Sequence, residues 1–193
     1  MLITGTSRAD VLIGNIGQTD QIYINNVGDV IVNSEGRDVI QAWVSFDMAA
    51  SQAQYLVLMG RSGLSATGTD RAEVIAGNSG DNILNGGGGQ DRLTGGRGAD
   101  TFVFDAHGAG NADVIDDYSL AQNDVIALSG AAFGLAAGTA IDFAEGAALG
   151  VGPTVFRDAG SQLWFDADGI GDGAAVVFAQ CRSALDSSSF AVI

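Results

Sequence analysis

The chain has 193 residues, with 23 acidic against 8 basic side chains, a formal net charge of −15, 29 glycines and 1 proline. This length accommodates one domain or one elongated body, and the acidic surplus excludes surfaces built for nucleic-acid phosphates or anionic membranes. It suits hard cations, which take oxygen ligands, and so much glycine with so little proline argues for tight turns between short extended segments rather than for collagen.

At the start, Met1-Leu2-Ile3-Thr4-Gly5 lacks a basic stretch followed by an apolar one, so no cleavable leader is expected there. No apolar run has the length of a membrane span. Asp10, Asp20, Asp29, Asp38 and Asp47 follow at steps of nine or ten, and Leu12, Ile22, Ile31 and Ile40 each stand two places after the first four. This weak period predicts short strands separated by turns. Tyr55 to Leu58 reads as another strand, and Ser62 to Thr67 as turn material.

From Gly68 the period becomes strict. Written in nines, the chain reads GTDRAEVIA (68–76), GNSGDNILN (77–85), GGGGQDRLT (86–94) and GGRGADTFV (95–103). The first column is always glycine, and the sixth is Glu73, Asn82, Asp91 and Asp100. The eighth is Ile75, Leu84, Leu93 and Phe102. No helical period gives nine. A coil of about six turn residues and three strand residues does, with the eighth-column side chain pointing inward. Two units complete one coil, so unit n stacks on unit n+2. About seven coils at ~4.8 Å each predict a rod on the order of 30–35 Å long. The expected fold is therefore all-β: a parallel β-roll of nonapeptide repeats, like a β-helical solenoid, with a C-terminal β cap. Residues 1–67 form degenerate repeats, 68–130 the strict repeats with their closing segment, and 131–193 the cap.

The spelling of the turns points to calcium. Repeated glycines reach positive φ and aim carbonyl oxygens at one point; the sixth column supplies charge, and the turn two units along supplies a second set of oxygens. Calcium takes six to eight oxygens in irregular geometry, whereas magnesium demands a tight octahedron. Stacking pairs loop 77–82 with loop 95–100 and loop 68–73 with loop 86–91. The candidate ligands are Asp91 and Asp100, with Asn82, Asp81 and Glu73, and the turn glycines Gly77, Gly80, Gly86, Gly87, Gly89, Gly95, Gly96 and Gly98. Asn82 is neutral, so its site is expected to be weaker unless Asp81 contributes. Glu73 shares its unit with Arg71, which stands where glycine is expected. The N-terminal block has the aspartate column without the paired glycines and is expected to bind few ions or none.

These columns resemble the RTX, or hemolysin-type calcium-binding, family of proteins exported by type I secretion. GNSGDNILNGGGGQDRLTGGRGADTFVF resembles its core repeats, and VGDVIVNSEGRDVIQAWVSF the degenerate upstream repeats of serralysin-like proteins. ADVIDDYSLAQNDVIALS (112–129) resembles the closing segment, whose aspartates complete the last calcium site; that implies roles for Asp113 and Asp117, and less directly for Asp124. QLWFDADGIGDGAAVVFAQ (162–180) resembles the terminal hairpin, and LDSSSFAVI the uncleaved secretion signal. The resemblance implies several Ca²⁺ ions, a passing partnership with type I secretion machinery, an extracellular location, and folding driven by millimolar calcium outside the cell. Deleting 185–193 is expected to abolish export and leave calcium-driven folding mostly intact.

Other features carry less. Asp166 to Asp172 opens like an EF-hand loop, but Ile170 and Val177 stand where ligands are needed, and a tight hairpin turn at Asp168-Gly169 is expected instead. His107 is the only histidine and no GxSxG elbow occurs, so no catalytic residues are assigned. Phe133, Phe143 and Phe156 are expected to pack the cap. Trp43, Tyr55 and Trp164 suit sheet packing, or sugar stacking if exposed. Two competing readings remain open: an adhesin or glycan-binding surface protein, and the non-catalytic C-terminal part of a secreted protease, lipase or polysaccharide-modifying enzyme.

Overall fold

The computed structural model describes residues 1–15, 17–32, 37–146, 152–169 and 175–193. Among them, seven strands stack in parallel on one face of the roll: Leu2–Thr4, Gln21–Ile24, Val39–Ala42, Tyr55–Leu58, Val74–Ala76, Arg92–Thr94 and Asp113–Ile115. The opposite face carries Val11–Ile13 and Val30–Val32 as one pair, then Phe46–Asp47, Ser65–Thr69, Ile83–Gly87, Thr101–Phe104 and Val125–Leu128. The expected parallel β-roll is present. The second face departs from expectation, because its sheet is split between Val30–Val32 and Phe46–Asp47.

The period sets the register. Ile22 pairs with Ile40, Ile75 with Leu93, and Leu84 with Phe102, each on the coil above. All six side chains are fully buried. One thin apolar seam therefore runs up the roll, filled by one inward residue per strand and its neighbours two places along. The pattern lapses at Asp47, which keeps the spacing but is exposed while Met48 is buried, and one sequence expectation fails. Residues 65–67 are strand rather than turn: Ala66 pairs with Leu84 and is buried. A small inward residue gave a weak apolar signal, and only the neighbouring strand reveals the pairing.

The cap extends the first face. Val176–Cys181 lies parallel to Asp113–Ile115; Gln162–Asp166 and Thr154–Arg157 follow antiparallel, and Asp142–Glu145 closes the sheet. Phe133 meets Phe165 and Phe178 edge-on, and Phe178 meets Phe104, joining the cap to the roll. Phe143 and Phe156 are half-buried, stacked on Phe190 and Trp164. Cys181 is buried and forms no disulfide. The tight turn expected at Asp168-Gly169 is not what joins the hairpin, because Phe165 pairs with Val176 across a longer connection. Gly169 does adopt a left-handed backbone, and Asp166 accepts the N–H of both Asp168 and Gly169. Residues 170–172 of the EF-hand-like string lie outside the described residues.

The tail is part of the fold. Asp186 and Ser189 form a capping box, and Phe190–Val192 then pairs with Ile126 to Leu128 as the last strand of the second face. Phe190, Val192 and Ser189 are buried. The tail thus covers an edge that would otherwise expose unpaired backbone.

Candidate metal centre

The sixth-column residues form a ladder. Oδ1 of Asp91 accepts the N–H of Glu73 at 2.8 Å, and Oδ1 of Asp113 accepts that of Asp91 at 3.0 Å. On the other face, Oδ1 of Asp100 accepts the N–H of Asn82 at 2.8 Å, and Oδ1 of Asp124 that of Asp100 at 2.9 Å. Each rung spans 18 residues within the strict repeats and 22 or 24 at the closing segment. The same ladder runs through the N-terminal block, from Asp29 to Asp10 and from Asp38 to Asp20.

The second carboxylate oxygen separates the turns. In the N-terminal block it accepts N–H groups of its own turn: Asp10 from Thr6, Asp20 from Asn15, and Asp29 from Asn25 and Asn26. Glu73 accepts from Thr69 and Arg71. Asn82 satisfies itself, its Oδ1 accepting from Asn78 and its Nδ2 donating to Leu64. Oδ2 of Asp91 and Oδ2 of Asp100 are buried and accept no hydrogen bond from the protein. A buried charged oxygen without a partner costs about 1–3 kcal/mol or more. Such an atom is a place for a cation.

The glycines make room for it. A Cβ on Gly86 would lie 2.3 Å from Oδ2 of Asp91, and one on Gly95 would lie 2.4 Å from Oδ2 of Asp100. Gly89 and Gly98 hold φ of +100° and +109°, and a Cβ there would meet the carbonyl oxygens of Arg71 and Gly80 one coil below, at 2.4 and 2.7 Å. Gly87 and Gly96 likewise face the carbonyls of Thr69 and Asn78. Carboxylate and carbonyl oxygens thus crowd the same bends. Among the described residues no three carboxylate, imidazole or thiolate side chains converge on one point, so an ion in these bends takes most of its oxygens from carbonyls. That donor set suits Ca²⁺ rather than a transition metal.

Electrostatics agree. Burial, with the charges of Asp113 and Glu73, pushes Asp91 up to about 8. Burial raises Asp113 to about 7, with the charge of Asp105 adding to it. Burial raises Asp100 to about 6, helped by Asp124, Asp117 and Asp81. Burial raises Asp124 too. A bound Ca²⁺ supplies the positive charge that lets these carboxylates ionise together.

With this geometry, the comparison with known families is decisive for one segment. Residues 67–102 match the RTX calcium-binding nonapeptide repeat in four copies. This segment is an RTX repeat array. No curated protein matches the chain.

The RTX turns do not treat the expected ligands alike. Asp91 and Asp100 have the free oxygens, and Gly86, Gly87, Gly89, Gly95, Gly96 and Gly98 shape their bends. Gly77 and Gly80 lie one coil lower, with Gly77 close to the carbonyl of Gly95. Asp81 accepts the N–H of Ala99 at 2.8 Å, beside Gly98. Asp117 spends both oxygens on the N–H groups of Gly95 and Gly96, each at 2.8 Å. It holds the Asp100 bend from outside. Asp124, which the closing-segment resemblance favoured least, is the rung directly above Asp100. Its spacing of 24 residues is no multiple of nine, so the period does not point to it.

Proposed function

We propose that the chain is a calcium-triggered folding module of a type I exported, extracellular protein, without catalysis of its own. The observation that carries this is the pair of buried, unpartnered oxygens on Asp91 and Asp100 inside RTX bends. In a low-calcium cytosol the buried ladder carboxylates of the strict repeats repel one another or must hold protons, and that part of the roll is destabilised. Outside, calcium binds the folded state and pulls the equilibrium toward it; at a hundredfold excess over Kd one site contributes about 2.7 kcal/mol. Circular dichroism during a calcium titration with EDTA reversal is expected to show a cooperative gain of β structure with little response to Mg²⁺. A flat signal would refute the proposal. His107 fits a packing role: its Nε2 lies 3.1 Å from the carbonyl of Ala132 and its ring 5.2 Å from Phe133.

The tail serves as secretion signal and as last strand. An unfolded chain displays it, and folding buries it, which favours one-way export. Removing 185–193 is therefore expected to abolish export and also to lower the thermal midpoint of the calcium-loaded protein, by several degrees, because the edge at Ile126 to Leu128 loses its cover. Calcium-driven folding is still expected to be mostly intact, with this loss of stability added to it. Export of the truncated chain at wild-type yield would sink the signal assignment.

A second reading is favoured by one surface. Leu2, Thr4, Tyr23, Asn25 and Trp43 line a shallow groove, with the Tyr23 and Trp43 rings 5.4 Å apart. Two aromatic faces beside a hydroxyl and an amide suit a neutral sugar ring. Tyr55, though exposed, does not line it. Glycan-array binding that Trp43→Ala abolishes would establish this reading; an array without signal would dismiss it.

A further inference from the structure

The turn that carries Glu73 lacks what the Asp91 and Asp100 bends have. Its fourth position is Arg71, where the next three units have Gly80, Gly89 and Gly98. The Arg71 guanidinium reaches down one coil, donating to the carbonyl of Ser51 at 3.0 Å and of Ala53 at 3.4 Å. Its Nε donates to Oε1 of Glu73 at 3.3 Å. Thr69 completes the carboxylate, its N–H donating at 3.1 Å and its hydroxyl at 2.6 Å. Glu73 and Ser51 are buried. One positive group thus touches the carboxylate of its own turn and two carbonyls of the turn below. These are the kinds of oxygen that crowd the calcium bends.

We propose that the Arg71 guanidinium is the resident cation of this turn, standing where the bends above it take calcium, so that the turn keeps its shape without metal. The inference rests on the calcium reading of those bends. A guanidinium is always charged and presents five donors in a rigid plane, so it can satisfy several oxygens at fixed angles. It neutralises Glu73, the buried carboxylate of this turn; the other, Asp70, is exposed to solvent. No such side chain fits above it, because Gly89 and Gly98 press against carbonyls. The first coil repeats the threonine part of this arrangement: Thr6 donates twice to Asp10, as Thr69 does to Glu73, and the backbone N–H of Arg8, like that of Arg71, donates to the threonine hydroxyl at 3.2 Å. The Glu73 N–H in turn donates to Asp91. A metal-independent turn therefore presents a formed face to the first calcium bend.

Hydrogen exchange of the full chain, read in EDTA and then in calcium, tests this. In EDTA the amides of residues 69–76 are expected to stay protected in the wild type. In Arg71→Gly they are expected to exchange on the order of tenfold faster, and added calcium is expected to restore them, because the vacated oxygens then accept the ion. Arg71→Lys keeps the charge but loses the planar fork, and is expected to fall between wild type and Arg71→Gly. The proposal is overturned if the wild-type segment is unprotected in EDTA, if Arg71→Gly leaves it unchanged or beyond rescue by calcium, or if the lysine variant behaves like the glycine one. The amides of 91–100 report on calcium itself in the same experiment. Their failure to respond would refute the calcium reading, whatever residues 69–76 do.

Discussion

Asp91→Asn and Asp100→Asn are expected to change sign with calcium: each weakens the calcium-loaded protein and strengthens the calcium-free one. Asparagine keeps an oxygen for the ladder, so the rung to Glu73 or Asn82 survives. What disappears is the charge on a buried oxygen that accepts nothing from the protein. In EDTA that carboxylate is only a cost, through its charge or through the proton the folded state must hold, and its removal is expected to raise the thermal midpoint. In calcium it is a ligand, and its loss is expected to weaken binding by at least about tenfold, or ~1.4 kcal/mol. Asn82 shows how the fold accommodates an amide in this column. Alanine serves less well, since it also breaks the rung. Thermal melts of both variants in EDTA and in calcium, with calorimetric titration, decide the matter. A loss of stability in both conditions would assign these aspartates to packing instead.

Stability and calcium affinity are expected to respond to pH in opposite directions. The folded roll holds protons on Asp91, Asp113 and Asp100 to about 8, 7 and 6, against 3.8 for an exposed aspartate. The folded state therefore binds more protons than the unfolded one between pH 4 and 8. Stability without calcium is accordingly greatest near pH 4 and falls as pH rises through that window. A tenfold difference in proton affinity between folded and unfolded chain corresponds to about 1.36 kcal/mol. The rungs share their charges, so the overall effect is on the order of a few kcal/mol. Calcium binding requires the same carboxylates ionised. Its midpoint is expected to move to lower concentration from pH 6 to pH 8, with protons released on binding. A pH-indicator assay near pH 7 measures that release. Calcium uptake without proton release would show the aspartates already ionised in the calcium-free roll.

The strict repeat disclosed more than the degenerate one. Ile75, Leu84, Leu93 and Phe102 fall inward because strand neighbours alternate faces, a local rule that a period of nine makes visible. The stacking of loop 68–73 with loop 86–91, and of 77–82 with 95–100, followed from two units per coil. The strand at 65–69 was not legible because Ala66 carries little hydrophobic signal, and at Asp47 the spacing persists without a buried side chain. Asp124 was reached only through the closing-segment resemblance, because the chain between the Asp100 and Asp124 rungs departs from the period.

The sequence by itself determined the coil: its period, its inward column, its aspartate column and its preference for a hard cation. Each depends on neighbours a few residues away and on a register that repeats. The tertiary structure alone decided which of the similar carboxylates keeps an oxygen free. That depends on whether a backbone N–H, a hydroxyl or an arginine of the same turn reaches it. Asp20 and Asp29 are met by their own turns, Glu73 by Thr69 and Arg71, and Asp91 and Asp100 by no protein donor at their second oxygen. The tail is settled in the same way: Phe190–Val192 is a strand because Val125–Leu128 offers it an unpaired edge.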